Sequence, residues 1–386
     1  MSLTKNNQIG NMNRRHFLKT TAGVGAGLTA SSALTSLSPL TRKASAAEGP
    51  TFAKGNFNWL TWDDHFFPKQ LVEAANDHGI KANPSLFSDN SEAFLKVQQM
   101  GGKQIDMVSG DSLWVPKFYE EDLIEPFDLW SLKSSKGLYD MALFDLPFFQ
   151  TGDGRQLGYP FGWSPVVIAY NPKYVTNDPT SWDVLWDPKY RRKVTLELQP
   201  FDVMAMMGKS LGYDKVFNMN AYQIKAAKQQ LIDLLPNMLR WVEQSSEVVS
   251  MFANEEVWLA TVNLGFEDRV KEAGGPEIKT FAPKEGVIGW MDGEMIVKDA
   301  VNRDVALNWL DKMPTGEWVA KNFLEFGRPL LNRSAYHWLV KNGHEDRAKR
   351  YLFDKPELAL KMSMKGPSED MEGTISAFNE ALATGG

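Results

Sequence analysis

No cysteine occurs anywhere in the 386 residues. That excludes disulfides, thiolate metal sites, cysteine-ligated iron–sulfur clusters and a thiol nucleophile. Histidine is nearly as scarce: past the first fifty residues only His65, His78, His337 and His344 remain, with no pair at metal-ligand spacing. There is no Gly-x-Ser-x-Gly elbow, no phosphate-binding loop and no dinucleotide fingerprint. Gly152-Asp153-Gly154 reads as a surface turn rather than a phosphate cradle. The weakly apolar stretch from Thr20 to Leu40 is too polar to cross a bilayer, for which roughly 20 mainly apolar residues are needed. Neither a cofactor nor a metal is expected.

Acidic residues are missing from one region in particular. None precedes Ala47, whereas six basic residues do: Lys5, Arg14, Arg15, Lys19, Arg42 and Lys43. Asn13-Arg14-Arg15-His16-Phe17-Leu18-Lys19 puts two adjacent arginines before an apolar pair and a lysine. A Gly/Ala/Thr/Ser-rich stretch follows, and then the small-residue pattern Ala44-Ser45-Ala46. This resembles a twin-arginine export signal, with Asn13 where Ser or Thr is commoner, and predicts cleavage near Ala47. No cysteine stands there to carry a lipid anchor, so a freely diffusing periplasmic protein is expected. Removing six positive charges from a chain of formal charge −6 leaves −12. That disfavours nucleic acid and anionic membranes and is compatible with a cationic ligand.

Beyond the signal, short apolar runs alternate with amphipathic stretches. Strands are predicted at Phe57–Thr61, Ile105–Val108, Val166–Tyr170, Val194–Leu198, Leu259–Asn263 and Glu294–Val297. Helices are predicted at Phe66–His78, Ser91–Met100, Val203–Leu211, Tyr222–Leu234, Ser246–Asn254, Val301–Lys312, Gly316–Phe326 and over the last fifteen or so residues. The segment Ser109-Gly110-Asp111-Ser112 reads as a polar turn. Alternation of this kind indicates an α/β protein with mixed, mostly parallel sheets flanked by helices. About 340 residues of mature chain usually form two domains.

Thirteen tryptophans are many for this length, and several adjoin carboxylates. Trp62-Asp63-Asp64-His65 follows the first strand, Gly110-Asp111-Ser112 follows another, and Trp290-Met291-Asp292 precedes a third. In open α/β sheets ligands gather at the carboxyl ends of strands. Aromatic faces beside carboxylates suit a ligand with apolar methylenes and cationic ends, through cation–π contacts and charge-assisted hydrogen bonds. The adjacent acids Asp63 and Asp64 also admit a glycosidase reading, although neighbours in sequence usually face different ways.

These segments also carry a family resemblance. Ala282-Pro283-Lys284-Glu285-Gly286-Val287-Ile288-Gly289-Trp290-Met291-Asp292, then Ile296 and the Ala300–Asn302 turn, is similar to a segment of the periplasmic solute-binding proteins of spermidine/putrescine ABC importers. Ser181-Trp182-Asp183-Val184-Leu185-Trp186 with Pro188-Lys189-Tyr190, Leu211-Gly212-Tyr213, and Tyr159-Pro160-Phe161-Gly162-Trp163 followed by Tyr170-Asn171 support it. The resemblance covers the chain after the signal. It implies a two-lobed fold of the type II periplasmic-binding class with a ligand cleft between the lobes. The boundaries it implies are a signal at 1–46, one lobe at 47–162 plus 291–337, and the other at 163–290 plus 338–386.

By the same resemblance Trp62 and Trp290 are aromatic walls, Asp292 grips an amine, Asp202 serves further amines, and Asp111 and Ser112 lie in a contact loop. His65 stands where the family has tyrosine, Gln199 where it has a second acid, Asn263 in place of a tryptophan and Arg328 in place of a tyrosine. Asp111 stands for a hydroxyl residue and is expected either to pair with Arg328 or to contact the ligand. The implied function is a non-enzymatic, monomeric receptor for a small cationic solute. Its partners are the ligand, an ABC permease, the twin-arginine translocase and signal peptidase. A zwitterionic or anionic solute held by Arg328 is the alternative, and an exported enzyme is the reading of a different class.

Overall fold

The computed structural model describes residues 52–384 apart from 145 and 367; the predicted export signal lies outside the described residues. The first strand, β1 (Gly55–Thr61), buries Phe57 and Trp59 on one face, as period-2 alternation requires, and ends in three consecutive buried residues. It pairs in parallel with β2 (Ile80–Leu86) and β3 (Met107–Asp111). The intervening helix Pro68–Glu73 runs on into a π turn over Ala74–His78, and left-handed Gly79 stops it. The helix Asn90–Met100 begins where the Asp89 carboxylate accepts the Glu92 N–H. Short β4 (Ile124–Glu125) lies farther along.

Two long strands then organise the molecule. β5 (Tyr159–Tyr170) pairs antiparallel with β10 (Ile288–Val297) along its first half. Along its second half it turns to β8 (Leu259–Val262) and β9 (Lys279–Phe281). Through β8 it reaches the parallel strands β6 (Val194–Glu197) and β7 (Met238–Val242). The path runs β2-β1-β3-β10-β5-β8-β6-β7, and β11 (Ser363–Met364) adds beside β10. The result is a two-lobed α/β architecture, with outer strands paired in parallel and long β5 shared between the two sheets. Trp59, Phe57 and Trp309 pack together in one core, with ring centroids 5.4 and 5.7 Å apart. Val167, Val248, Phe252, Val262 and Phe266 form the core behind β8.

Three expectations shift. The expected polar turn Ser109–Ser112 is strand up to Asp111, because side-chain-free Gly110 lets the Met295 methyl pack against the backbone. The short strands expected at Val166 and Glu294 are the ends of β5 and β10, whose interior prolines and glycines mask the strand pattern. β2 carries Asn83 and Pro84, and went unread for the same reason.

Candidate functional site

The loops that leave β1, β3, β6, β7 and β8 converge on one cavity of about 90 Å³. β1 contributes Trp62, Asp63 and Asp64; β3 contributes Asp111; β6 ends in Glu197 and is followed by Gln199 and Asp202; β7 is followed by Glu243, Gln244 and Ser245, and β8 by Asn263. Crossing strand β10 adds Trp290 and Asp292, the loop after helix Gly316–Phe326 adds Arg328, and the residue after β11 is Lys365. Among the described residues the lining holds seven carboxyl side chains and two cationic ones.

Three buried ion clusters balance part of that charge. The imidazole of His65 is buried, with Nδ1 2.6 Å from Glu294 Oε1 and Nε2 3.2 Å from Asp292 Oδ2. Glu294 Oε2 also accepts from Trp59 Nε1 at 3.0 Å and from Ser109 Oγ at 2.6 Å. Burial by itself would lower the His65 pKa, but the Glu294 charge and the two hydrogen bonds outweigh it and raise it to about 9. The ring is therefore an imidazolium at neutral pH. Burial raises the Asp292 pKa against the opposing pull of His65.

In the second cluster Lys365 Nζ lies 2.9 Å from both Asp111 Oδ2 and Asp202 Oδ1. Burial opposes its charge, yet the two carboxylates hold its pKa above the ordinary lysine value. In the third, Arg328 Nη1 pairs with the Asp64 carboxylate while Nη2 donates to Asp64 O at 2.9 Å. The guanidinium also lies over the rings of Phe161 and Trp290, 5.6 and 5.8 Å from their centroids. Burial pushes the Asp64 pKa up, but Arg328, His65 and Arg269 together hold it below the usual value.

Three lining acids keep no such partner. Asp63, Glu197 and the exposed Glu243 accept no side-chain hydrogen bond among the described residues. Burial raises the Asp63 pKa, and the neighbouring Asp64 raises it further. Glu197 is pushed up to about 7, first by burial and then by the charges of Asp202 and Asp64.

The sequence pattern of the family described as "Bacterial extracellular solute-binding protein" matches residues 70–329. The chain belongs to this family. A twin-arginine translocation signal matches residues 11–31 of the solute-binding protein. It is 28% identical over 331 residues to the spermidine/putrescine-binding periplasmic protein of Salmonella typhimurium, covering 85% of this chain and 91% of that one. To the protein so named in Escherichia coli it is 28% identical over 281 residues, 72% of this chain and 78% of that one. A spermidine/putrescine ABC transporter protein from Listeria monocytogenes, described as putative, has the same fold: TM-score 0.74, 24% identity, 86% of this chain and 98% of that one. The fold extends to an Agrobacterium tumefaciens binding protein in complex with glucopine, at TM-score 0.65, 18% identity, 85% of this chain and 99% of that one.

In this solute-binding protein eight of the ten residues singled out from sequence line the cavity: Trp62, Asp111, Gln199, Asp202, Asn263, Trp290, Asp292 and Arg328. His65 stands behind Asp292 instead, beside a smaller cavity lined by Trp59, Phe161 and Trp309. Ser112 turns away, its hydroxyl donating to Lys365 O at 2.6 Å. Of the two roles expected for Asp111, pairing with Arg328 is not observed: Asp111 pairs with Lys365 and Arg328 with Asp64. Asn263 accepts from Trp290 Nε1 at 2.9 Å and so fixes the indole, and Gln199 Nε2 donates to Ser88 O at 3.0 Å.

Lys365 and Glu197 went unread in the sequence. Glu197 was legible in principle, as an acid at the end of a predicted strand. Lys365 was not, because only the pairing of a two-residue strand with Ile288 and Gly289, 75 residues earlier, brings it in.

Proposed function

We propose that this periplasmic solute-binding protein captures a small organic cation, of the polyamine type or a related amine, and presents it to the permease of an ABC importer. It acts as a receptor rather than as an enzyme. The observation that carries the reading is the lining of the cavity: seven carboxyl groups against two cationic side chains, both already paired. Coulomb attraction in such a partly desolvated site favours an ammonium strongly over a carboxylate. Trp62 and Trp290 offer apolar faces to the methylenes. Trp62 packs on Phe87 with centroids 4.1 Å apart, and its Nε1 finds no partner among the described residues. Asp292 meets the amine through Oδ1, since Oδ2 is taken by His65. The relatives named for spermidine and putrescine support this ligand class.

Arg328 keeps N–H groups to spare, Nε among them, but its charge is already paired with the Asp64 carboxylate, which makes it a weaker anchor for an anionic solute than a free guanidinium. That observation disfavours the alternative. Thermal unfolding against putrescine, spermidine, betaine, amino acids and phosphonates tests the proposal. A native-state ligand at a hundredfold excess over its dissociation constant adds about 2.7 kcal/mol of stability. Stabilisation by amines supports the reading, whereas stabilisation only by anions overturns it.

A further inference from the structure

Lys365 is held unusually firmly for a lysine at a binding cavity. Its backbone N–H donates to Gly289 O at 2.9 Å, and its carbonyl accepts the Ser112 hydroxyl at 2.6 Å. The side chain is buried, and Nζ reaches Asp111 and Asp202 at the same distance of 2.9 Å. Asp111 is saturated around it: Oδ2 also accepts from Asn90 Nδ2 at 2.9 Å, and Oδ1 accepts the Leu113 N–H at 3.0 Å. On this side of the cavity an ammonium is thus already bound by two carboxylates, and it belongs to the protein. The other side differs. There a small recess lined by Asp64, Glu197, Asn263, Arg269 and Arg328 adjoins the cavity, and Glu197 and Asp63 carry no hydrogen-bonding partner among the described residues.

We propose that Lys365 is a built-in ammonium that fills one cation subsite, so that the cavity selects a short amine and discriminates against longer polyamines. The inference rests on the cation reading of the site given above. A ligand ammonium reaching Asp111 and Asp202 would meet the Lys365 charge at contact distance. It could displace that charge only by leaving Lys365 buried and unpaired, which is strongly unfavourable. A short diamine avoids the conflict, placing its charges on Asp292 and on the Asp63/Glu197 side between the tryptophans. Selectivity of this kind is a difference of affinities set by a repulsive element as much as by an attractive one.

The test is isothermal titration of the processed protein with putrescine and with spermidine, for wild type, K365Q and the charge-balanced K365Q/D202N. Wild type is expected to bind putrescine more tightly than spermidine. In both variants the ratio of the two dissociation constants is expected to move at least tenfold toward spermidine, because Asp111 becomes free for a ligand ammonium. Should K365Q fail to fold with two buried carboxylates uncompensated, the double variant decides. Wild type that binds spermidine as tightly as putrescine overturns the proposal without any variant. A ratio unmoved in a variant that folds and binds overturns it too, leaving Lys365 as a structural link between β11 and the cavity wall. Absence of binding for both amines in folded wild type removes the cation reading along with the selectivity.

Discussion

The Glu197 pKa is pushed up to about neutrality and that of His65 well above it, and each gives the protein a pH dependence of its own. With its pKa pushed up to about 7, Glu197 is largely protonated in mildly acidic solution. A cation bound beside it favours the carboxylate, so binding releases a proton. Affinity for putrescine is expected to weaken below pH 7, by up to about tenfold per pH unit. Titrations at pH 5.5 and pH 8 should show the difference, and E197Q should flatten it; equal affinities at both values would place the ligand away from Glu197. His65 acts on stability instead. Its pKa rises from 6.5 to about 9 on folding, so its stabilisation is fully present below 6.5 and is lost as pH climbs through 9. The loss amounts to about 3 kcal/mol. Urea unfolding at pH 6 and pH 9.5 measures it, and a stability unchanged between them would mean that the imidazole is neutral in the fold.

At the scale of elements, the loop that delivers Arg328 depends on two glycines packed backbone to backbone. Gly265 and Gly327 have φ of +85° and +81°, and a Cβ on Gly327 would lie 2.7 Å from the Gly265 Cα. Left-handed backbone strain alone costs of order 1–3 kcal/mol for a residue with a side chain. G327A is therefore expected to lower unfolding stability by at least about 1 kcal/mol in urea titrations, and a loss under about 0.5 kcal/mol would show that the contact gives way easily. Elements were the level at which the sequence was most readable. The helix Gly316–Phe326 falls at its expected boundaries, since an αL glycine closes an amphipathic run. Asp89 and the Asn220 capping box likewise mark real helix starts. The long strands were read short, because β10 contains Gly289 and Gly293, which Met362 and Phe149 cover from outside. Their packing partners lie far away in sequence, beyond the reach of any local pattern.

For the whole molecule, β5 passes from one sheet to the other, and strand ends from both sheets meet at one cavity. In the proposed receptor, a ligand that touches both lobes would favour a closed arrangement by its differential contacts. The architecture was legible, and so were eight of the nineteen lining residues: Trp62, Asp111, Trp290 and Asp292 from their places beside strands, Gln199, Asp202, Asn263 and Arg328 only through the family resemblance. The charge balance was not. Whether Arg328, Lys365 and His65 neutralise the site or leave it acidic depends on which carboxylates they meet, and those meetings span up to 264 residues. The paired cations leave Asp63, Glu197 and Glu243 unmatched, and the proposed cationic ligand rests on that remainder. The most direct test is a calorimetric comparison of putrescine, 4-aminobutanoate and succinate, whose four-carbon skeletons end in two ammoniums, one of each charge, and two carboxylates. Binding of putrescine with none of succinate is the predicted result; binding of succinate with none of putrescine would contradict the account.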